Sequence, residues 1–268
     1  MLSLPSASPD FMRLTAFATV LLALAALEAL WPRRHERRTR SGRWPHNLAL
    51  IAIDTLVIRV LAPLGVVGVA MWAESSQVGL WNRVDGPSWL MFASTILLLD
   101  LAVYLQHVLV HRVPWLWRIH RVHHADVDVD VTTGLRFHPA EMVLSLAIKG
   151  GVVAAWGGGA TAVLVFEVLL NATSMFTHAN LAMPARLERL IRQVLVTPDM
   201  HRVHHSVNRD ECNSNFGFNL SWWDRWFGTY RAQPRDGHAQ MSLGLHEYRE
   251  EDEQHVVRLL TQPFRRPR

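Results

Sequence analysis

The strongest constraint on this chain is the length of its apolar runs. Residues 14–30, 48–72 and 89–110 are each close to the ~20 residues that a bilayer-spanning helix needs. A fourth apolar stretch, 142–175, is split by Gly157, Gly158 and Gly159, which reads as the tip of a helical hairpin with arms of about 15 and 16 residues. Lys149 interrupts its first arm, and length alone leaves open whether the arms cross the bilayer or re-enter it. The first run resembles a signal peptide only in its small residues Ala25 and Ala26. Its leading flank is almost uncharged and its trailing flank strongly basic, the reverse of a secretory signal.

Charge sets the expected orientation. Arg33, Arg34, Arg37, Arg38, Arg40 and Arg43 fall between the first two runs, whereas the next loop carries only Arg83. The positive-inside rule puts the Arg-rich loop in the cytoplasm. The hairpin returns the chain to the side it left, so segment 111–141 and everything after residue 178 are expected there too. The topology absorbs the Arg cluster, and nucleic acid is not expected as a partner. The fold class is an all-α integral membrane protein with about three transmembrane helices plus a hairpin, capped by a cytoplasmic, histidine-rich helical domain holding two metals. Three segments follow: residues 1–95 with the first helices and the Arg-rich loop, 96–232 with the metal domain, and 233–268 as a cytoplasmic tail.

The histidines carry the chemistry. The chain has 15 His and a single Cys, Cys212, which excludes a disulfide framework, a cysteine zinc site and an iron–sulfur cluster within this sequence. His107 and His111 stand at i, i+4 on one helical face. The pentapeptide His-Arg-Val-His-His occupies residues 120–124 and returns unchanged at 201–205, so each copy aims three imidazoles into one space. His138 precedes the hairpin and His178 follows it. Topology brings all these segments to one membrane boundary. The ten candidate ligands are His107, His111, His120, His123, His124, His138, His178, His201, His204 and His205; they exceed the four to six positions of one metal, so two are implied. His35, His46, His238, His246 and His255 fit no cluster.

A carboxylate at bilayer depth costs roughly 2.5–3.5 kcal/mol on insertion scales and is usually functional or paired. Asp100 and Tyr104 share a face with His107 and His111, and Glu167, Asn171 and Ser174 share one with His178. Each stripe is expected either to orient its histidines or to join helices; Asp199, beside His201, is placed in the same supporting group. Imidazole suits Zn, Cu, Fe and Ni. The H-E-x-x-H arrangement of zinc hydrolases is absent, and two all-His metals beside lipid favour iron redox chemistry. The alternative class is a membrane metal-binding or transport protein; a haem site would leave most of the histidines unexplained.

With its HxxxH box at His107 and His111, its HxxHH boxes at 120–124 and 201–205, Arg136-Phe137-His138-Pro139, His178, Asn215-Phe216-Gly217 and the closing segment 223–230, the chain resembles the fatty acid hydroxylase superfamily, the sterol desaturase group of membrane oxygenases. The resemblance covers about residues 96–232. It implies a non-haem di-iron centre that uses O2 to hydroxylate or desaturate an unactivated C–H bond of a membrane lipid. It also implies a separate electron donor, namely a ferredoxin, cytochrome or reductase. Asn215 and Asp224 are expected to hold local structure near the site, and Trp222, Trp223, Trp226, Phe227 and Tyr230 to pack or anchor it.

Overall fold

The computed structural model describes residues 9–35 and 38–266. They form helices with no β-strand beyond three isolated bridges. Helices α1 (Pro9–Leu30), α2 (Arg40–Leu61), α3 (Gly65–Ser75), α4 (Ser88–Arg112), α5 (Pro114–His124), α6 (Pro139–Trp156) and α7 (Ala160–His178) come first, followed by α8 (Ala185–Ile191) and α9 (Pro198–His204). Five stretches are long and apolar enough to cross a membrane: 11–30, 40–75, 88–112, 139–156 and 160–178. The second apolar run, read from sequence as one span, breaks at Ala62-Pro63-Leu64 into α2 and α3. Pro63 has no N–H to continue the ladder, and it pushes Ala62 out of the helical region, to ψ 84°.

The hairpin arms are longer than the apolar count suggested, at 18 and 19 residues, because polar residues extend both at the histidine end. Gly157 ends α6 in the left-handed region, φ 76°. Loop 76–87 seals this tip: Leu80 and Trp81 donate backbone bonds to Ala155 and Trp156 at 3.0 and 2.9 Å. Gly79 is required there, since a Cβ would collide with the Gly157 amide. An apolar core of Val66, Ala70, Leu99, Val103, Val153, Val163 and Phe166 joins α3, α4, α6 and α7.

The described arginines Arg33, Arg34, Arg38 and Arg43 of the Arg-rich segment bond to segments around the histidines. Arg43 is 1% exposed and pairs with Asp130 and with Asp126. Arg33 bonds Asp199 at 3.0 Å, Arg34 bonds the Met241 carbonyl at 2.7 Å, and the Arg38 amide bonds Asp128 at 2.8 Å. Arg37 lies outside the described residues. Burial raises the cost of the Asp126 charge, but Arg43 and Arg136 outweigh it and hold the carboxyl below its ordinary range. Helix α1 is likewise built in, because the Glu28 carboxylate accepts from the amides of Asn180 and Val131 at 2.6 and 2.7 Å.

Candidate metal centre

The histidine-bearing helices α5 and α9 start on proline at N1, Pro114 and Pro198, and α6 starts on Pro139 directly after its N-cap His138. Thr197 caps α9 by accepting from the Met200 amide at 3.2 Å. With α4 and α5 turning at Val113 and α7 ending on His178, nine imidazoles converge. They form two groups whose ligand atoms lie within 4.8 Å of one another: His107, His111, His120, His124 and His204, and then His123, His178, His201 and His205. Each repeated pentapeptide sends its i, i+4 pair into one group and its middle histidine into the other. Except for half-buried His111, all nine are buried.

The hydrogen bonds fix the tautomers. A carbonyl or carboxylate oxygen only accepts, so a ring nitrogen bonded to it carries the proton and the other nitrogen presents a lone pair. His107 Nδ1 donates to the Phe216 carbonyl (2.7 Å), His120 Nδ1 to Glu141 (2.7 Å), His178 Nδ1 to the Ser174 carbonyl (2.6 Å) and His204 Nδ1 to the Ser214 carbonyl (2.7 Å). His123 Nδ1 faces the Arg136 carbonyl at 3.3 Å. Yet the Nε2 atoms of His107 and His120 stand 3.1 Å apart, and those of His123 and His178 3.0 Å apart. Lone pair against lone pair at that distance repels unless a cation lies between them. Two imidazoles bound at right angles to one metal at ~2.1 Å would stand about 3.0 Å apart. His111 with His124, and His178 with His201, repeat the spacing at 3.1 Å. His204 Nε2, His201 Nδ1 and both ring nitrogens of His205 are buried without a partner among the described residues. The donor set therefore fits two cations.

Burial, and then the neighbouring imidazoles, hold His123, His124, His201 and His205 well below the usual histidine range; His204 falls to about 3. They are neutral at physiological pH, the state in which imidazole ligates.

His138 lies outside both groups. It is the N-cap of α6: Nδ1 accepts from the Ala140 amide (3.1 Å) and Nε2 donates to the Leu260 carbonyl (3.1 Å), so neither nitrogen is available. Of the two roles expected of the polar stripes, their carboxylates take the second, joining elements. Asp100 does not reach His107; it accepts from Asn219 (2.7 Å), Leu220 (3.2 Å) and Trp223 (2.7 Å). Tyr104 bonds Thr229 at 2.9 Å. Both fasten the segment after the second pentapeptide onto α4, because that segment brings its amide, indole and hydroxyl groups to a helix face that buries them. Ser174 serves His178 through its carbonyl, while Glu167 pairs with Arg13 and Asn171 lines a cavity. Asp199 binds Arg33 and Arg202 and reaches no ligand in either group.

Asn215 and Asp224 act one step behind the clustered histidines. Asn215 holds a left-handed φ of 52° and bonds the Met200 and Arg231 carbonyls, both at 2.8 Å. The Asp224 carboxylate accepts from the Phe216 and Gly217 amides at 2.7 and 2.9 Å. Together they set the Ser214 and Phe216 carbonyls that orient His204 and His107. Trp223 is buried on Asp100, whereas Trp226 and Phe227 are exposed at the surface.

Sequence reasoning missed Glu141, although it stands three residues after His138. It missed the alternating acids Asp126, Asp128 and Asp130 as well. The backbone acceptors Ser214 and Phe216 left no side-chain signal to find. Cys212, whose thiol burial pushes up to about 12, sits 3.6 Å from His124 Nδ1.

Of the nine histidines, His107 lines a cavity of about 300 Å³ that lies between α1, α2, α4, α6 and α7, with Glu141 beside it. Its far wall includes Arg59, Pro63 and Leu64 at the break between α2 and α3.

The profile of the fatty acid hydroxylase family matches residues 92–229. Ornithine lipid hydroxylase OlsE of Rhizobium tropici is 27% identical over 233 residues, covering 85% of this chain and 69% of that protein. Alkylglycerol monooxygenase of Homo sapiens is 26% identical over 235 residues, 84% of this chain but 49% of the relative, so the chain spans about half of that protein's length. A cholesterol 25-hydroxylase-like protein of Danio rerio is 29% identical over 230 residues, 82% of this chain and 89% of the relative. No solved structure gives a significant match. With two groups of buried imidazoles at the core of the matched region and lipid hydroxylases and monooxygenases as relatives, the chain belongs to the fatty acid hydroxylase family.

Proposed function

We propose that this protein is a membrane-bound non-haem di-iron oxygenase that hydroxylates or desaturates an unactivated C–H bond of a lipid admitted from the bilayer, with its active site at the cytoplasmic face. The observation that carries the reading is the pair of imidazole groups in which unprotonated nitrogens face one another at the end of an intramembrane cavity. Iron held there, when reduced, supplies O2 activation and the oxidising power for C–H cleavage. His107, His111, His120, His124 and His204 would hold one ion, and His123, His178, His201 and His205 the other.

The chain's own contribution is positional. Glu141 and the carbonyls of Phe216, Ser214, Ser174 and Arg136 keep the protons on Nδ1, so every anchored ring presents Nε2. Leu135, Phe137 and Phe218 line the cavity beside His107 and exclude water from the reacting carbon. The break at Pro63 gives a lipid chain lateral entry. Electrons come from a separate ferredoxin, cytochrome or reductase.

Metal analysis of the detergent-purified protein after anaerobic reconstitution, combined with Mössbauer spectroscopy, tests the reading. About two irons per chain in a coupled pair are expected, and His123→Ala and His204→Ala should lose metal and turnover together. Full metal content in both variants, or one zinc as the only bound ion, would overturn the ligand assignment.

A further inference from the structure

The cavity wall is more polar than a hydrocarbon chain requires. Glu141, Ser145 and Lys149 succeed one another along α6, so Lys149 stands ~12 Å along the axis from the residue that holds His120. Asp54 of α2 lines the same cavity as Glu141 and lies within its electrostatic reach. Arg13 and Glu167 neutralise each other in an ion pair. Asp54 and Lys149 do not: Asp54 is 1% exposed, and neither carboxylate oxygen has a hydrogen-bond partner among the described residues. No hydrogen bond or ion pair holds the Lys149 ammonium among the described residues; only longer-range fields from Glu167 and Arg13 reach it.

An ionisable side chain at bilayer depth is costly and usually has a partner. Here one acid near the metal groups and one ammonium deeper in the cavity are left for something to bind. A cavity of about 300 Å³ is at the small end of ligand pockets, with room for a headgroup and a few adjoining carbons while longer tails stay in the bilayer.

We propose that Asp54 and Lys149 select a zwitterionic amphiphile, with its ammonium group against Asp54 and its carboxylate or phosphate against Lys149. This rests on the oxygenase reading and deepens it. The amino-bearing end then lies nearest the histidine groups, which makes it the part of the lipid presented for oxidation. The long aliphatic stem of Lys149 lets its ammonium approach a headgroup shorter than the axial separation.

Binding to the full-length chain in nanodiscs, with and without iron, tests the assignment without relying on turnover. The probes are Nα-palmitoyl-lysine, palmitoyl lysophosphatidylethanolamine, palmitic acid, hexadecylamine and hexadecanol, and tryptophan fluorescence or native mass spectrometry reads Kd. At least one of the first two should bind about tenfold or more tighter than the singly charged and neutral probes. Which of the two binds tighter distinguishes a carboxylate from a phosphate headgroup. Asp54→Asn should erase the advantage over palmitic acid and Lys149→Gln the advantage over hexadecylamine, with Asp54→Glu and Lys149→Arg restoring part of each. Equal binding of hexadecanol, or a probe ranking unchanged in Asp54→Asn and Lys149→Gln, would overturn the proposal and leave Asp54 a neutral structural acid. Zwitterion preference with no oxidised product would instead sink the oxygenase reading and leave this one standing.

Discussion

The two imidazole groups are built from the same pentapeptide but supported differently. In the five-membered group, His107 and His204 are anchored to carbonyls at 2.7 Å, and His120 to the Glu141 carboxylate at the same distance. In the four-membered group, among the described residues, only His178 has so close an anchor. His123 has a 3.3 Å contact, and His201 Nδ1 and both His205 nitrogens have none among the described residues. One group is thus oriented by the chain itself, and in the proposed di-iron centre the other would take part of its geometry from the metal. Pre-organisation lowers the cost of binding, so the two ions should differ in affinity and in freedom to change coordination.

The largest expected effect is loss of a ligand. His205→Ala should remove about one iron per chain and all measurable turnover while the five-membered group keeps its ion, and His204→Ala should do the converse; metal counting with Mössbauer spectroscopy separates them. Equal loss of both ions in each variant would show the groups to be one cooperative unit, which breaks the comparison. Chelator titration should next release iron in two phases, the faster from the four-membered group, and a single phase would contradict the difference in support. Glu141→Gln keeps the shape but weakens the pull on His120 Nδ1; a fall of roughly 10–100-fold in affinity at the five-membered group or in kcat is expected, read by competition for iron.

Asp224→Ala should act through stability, because it strands the buried amides of Phe216 and Gly217. Leaving such donors unsatisfied costs about 1–3 kcal/mol each, visible as a lower Tm of the metal-free protein and as looser metal in the five-membered group only. Tyr104→Phe gives the smallest effect. It removes one 2.9 Å bond to Thr229, worth about 1 kcal/mol, and should leave iron content unchanged.

Much of the centre was legible because its signals are local. A pentapeptide that recurs unchanged, an i, i+4 pair and a histidine after an apolar arm all mark, by helical spacing alone, histidines that the fold brings together. His138 misled for the same reason: a histidine before proline at a helix start looks identical whether it caps the helix or binds metal, and only the Ala140 amide and Leu260 carbonyl decide. Asp100 and Tyr104 sat on the correct face, yet their partners, Asn219, Trp223 and Thr229, lie more than a hundred residues away. Asp54 drew no notice in a run otherwise fit to span a bilayer; its meaning appears only once α6 is seen beside it with Glu141 and Lys149.

The sequence by itself determined that the chain is helical and rich in membrane-length segments, where the hairpin turns, and which imidazoles can share a face, because periodicity and the backbone limits of glycine and proline act over a few residues. Tertiary structure alone decided how nine histidines divide into five and four, which backbone carbonyls set their tautomers, and which buried charges remain without a partner. Those outcomes depend on atoms brought together from distant helices, and no spacing along one helix records which neighbour will face it.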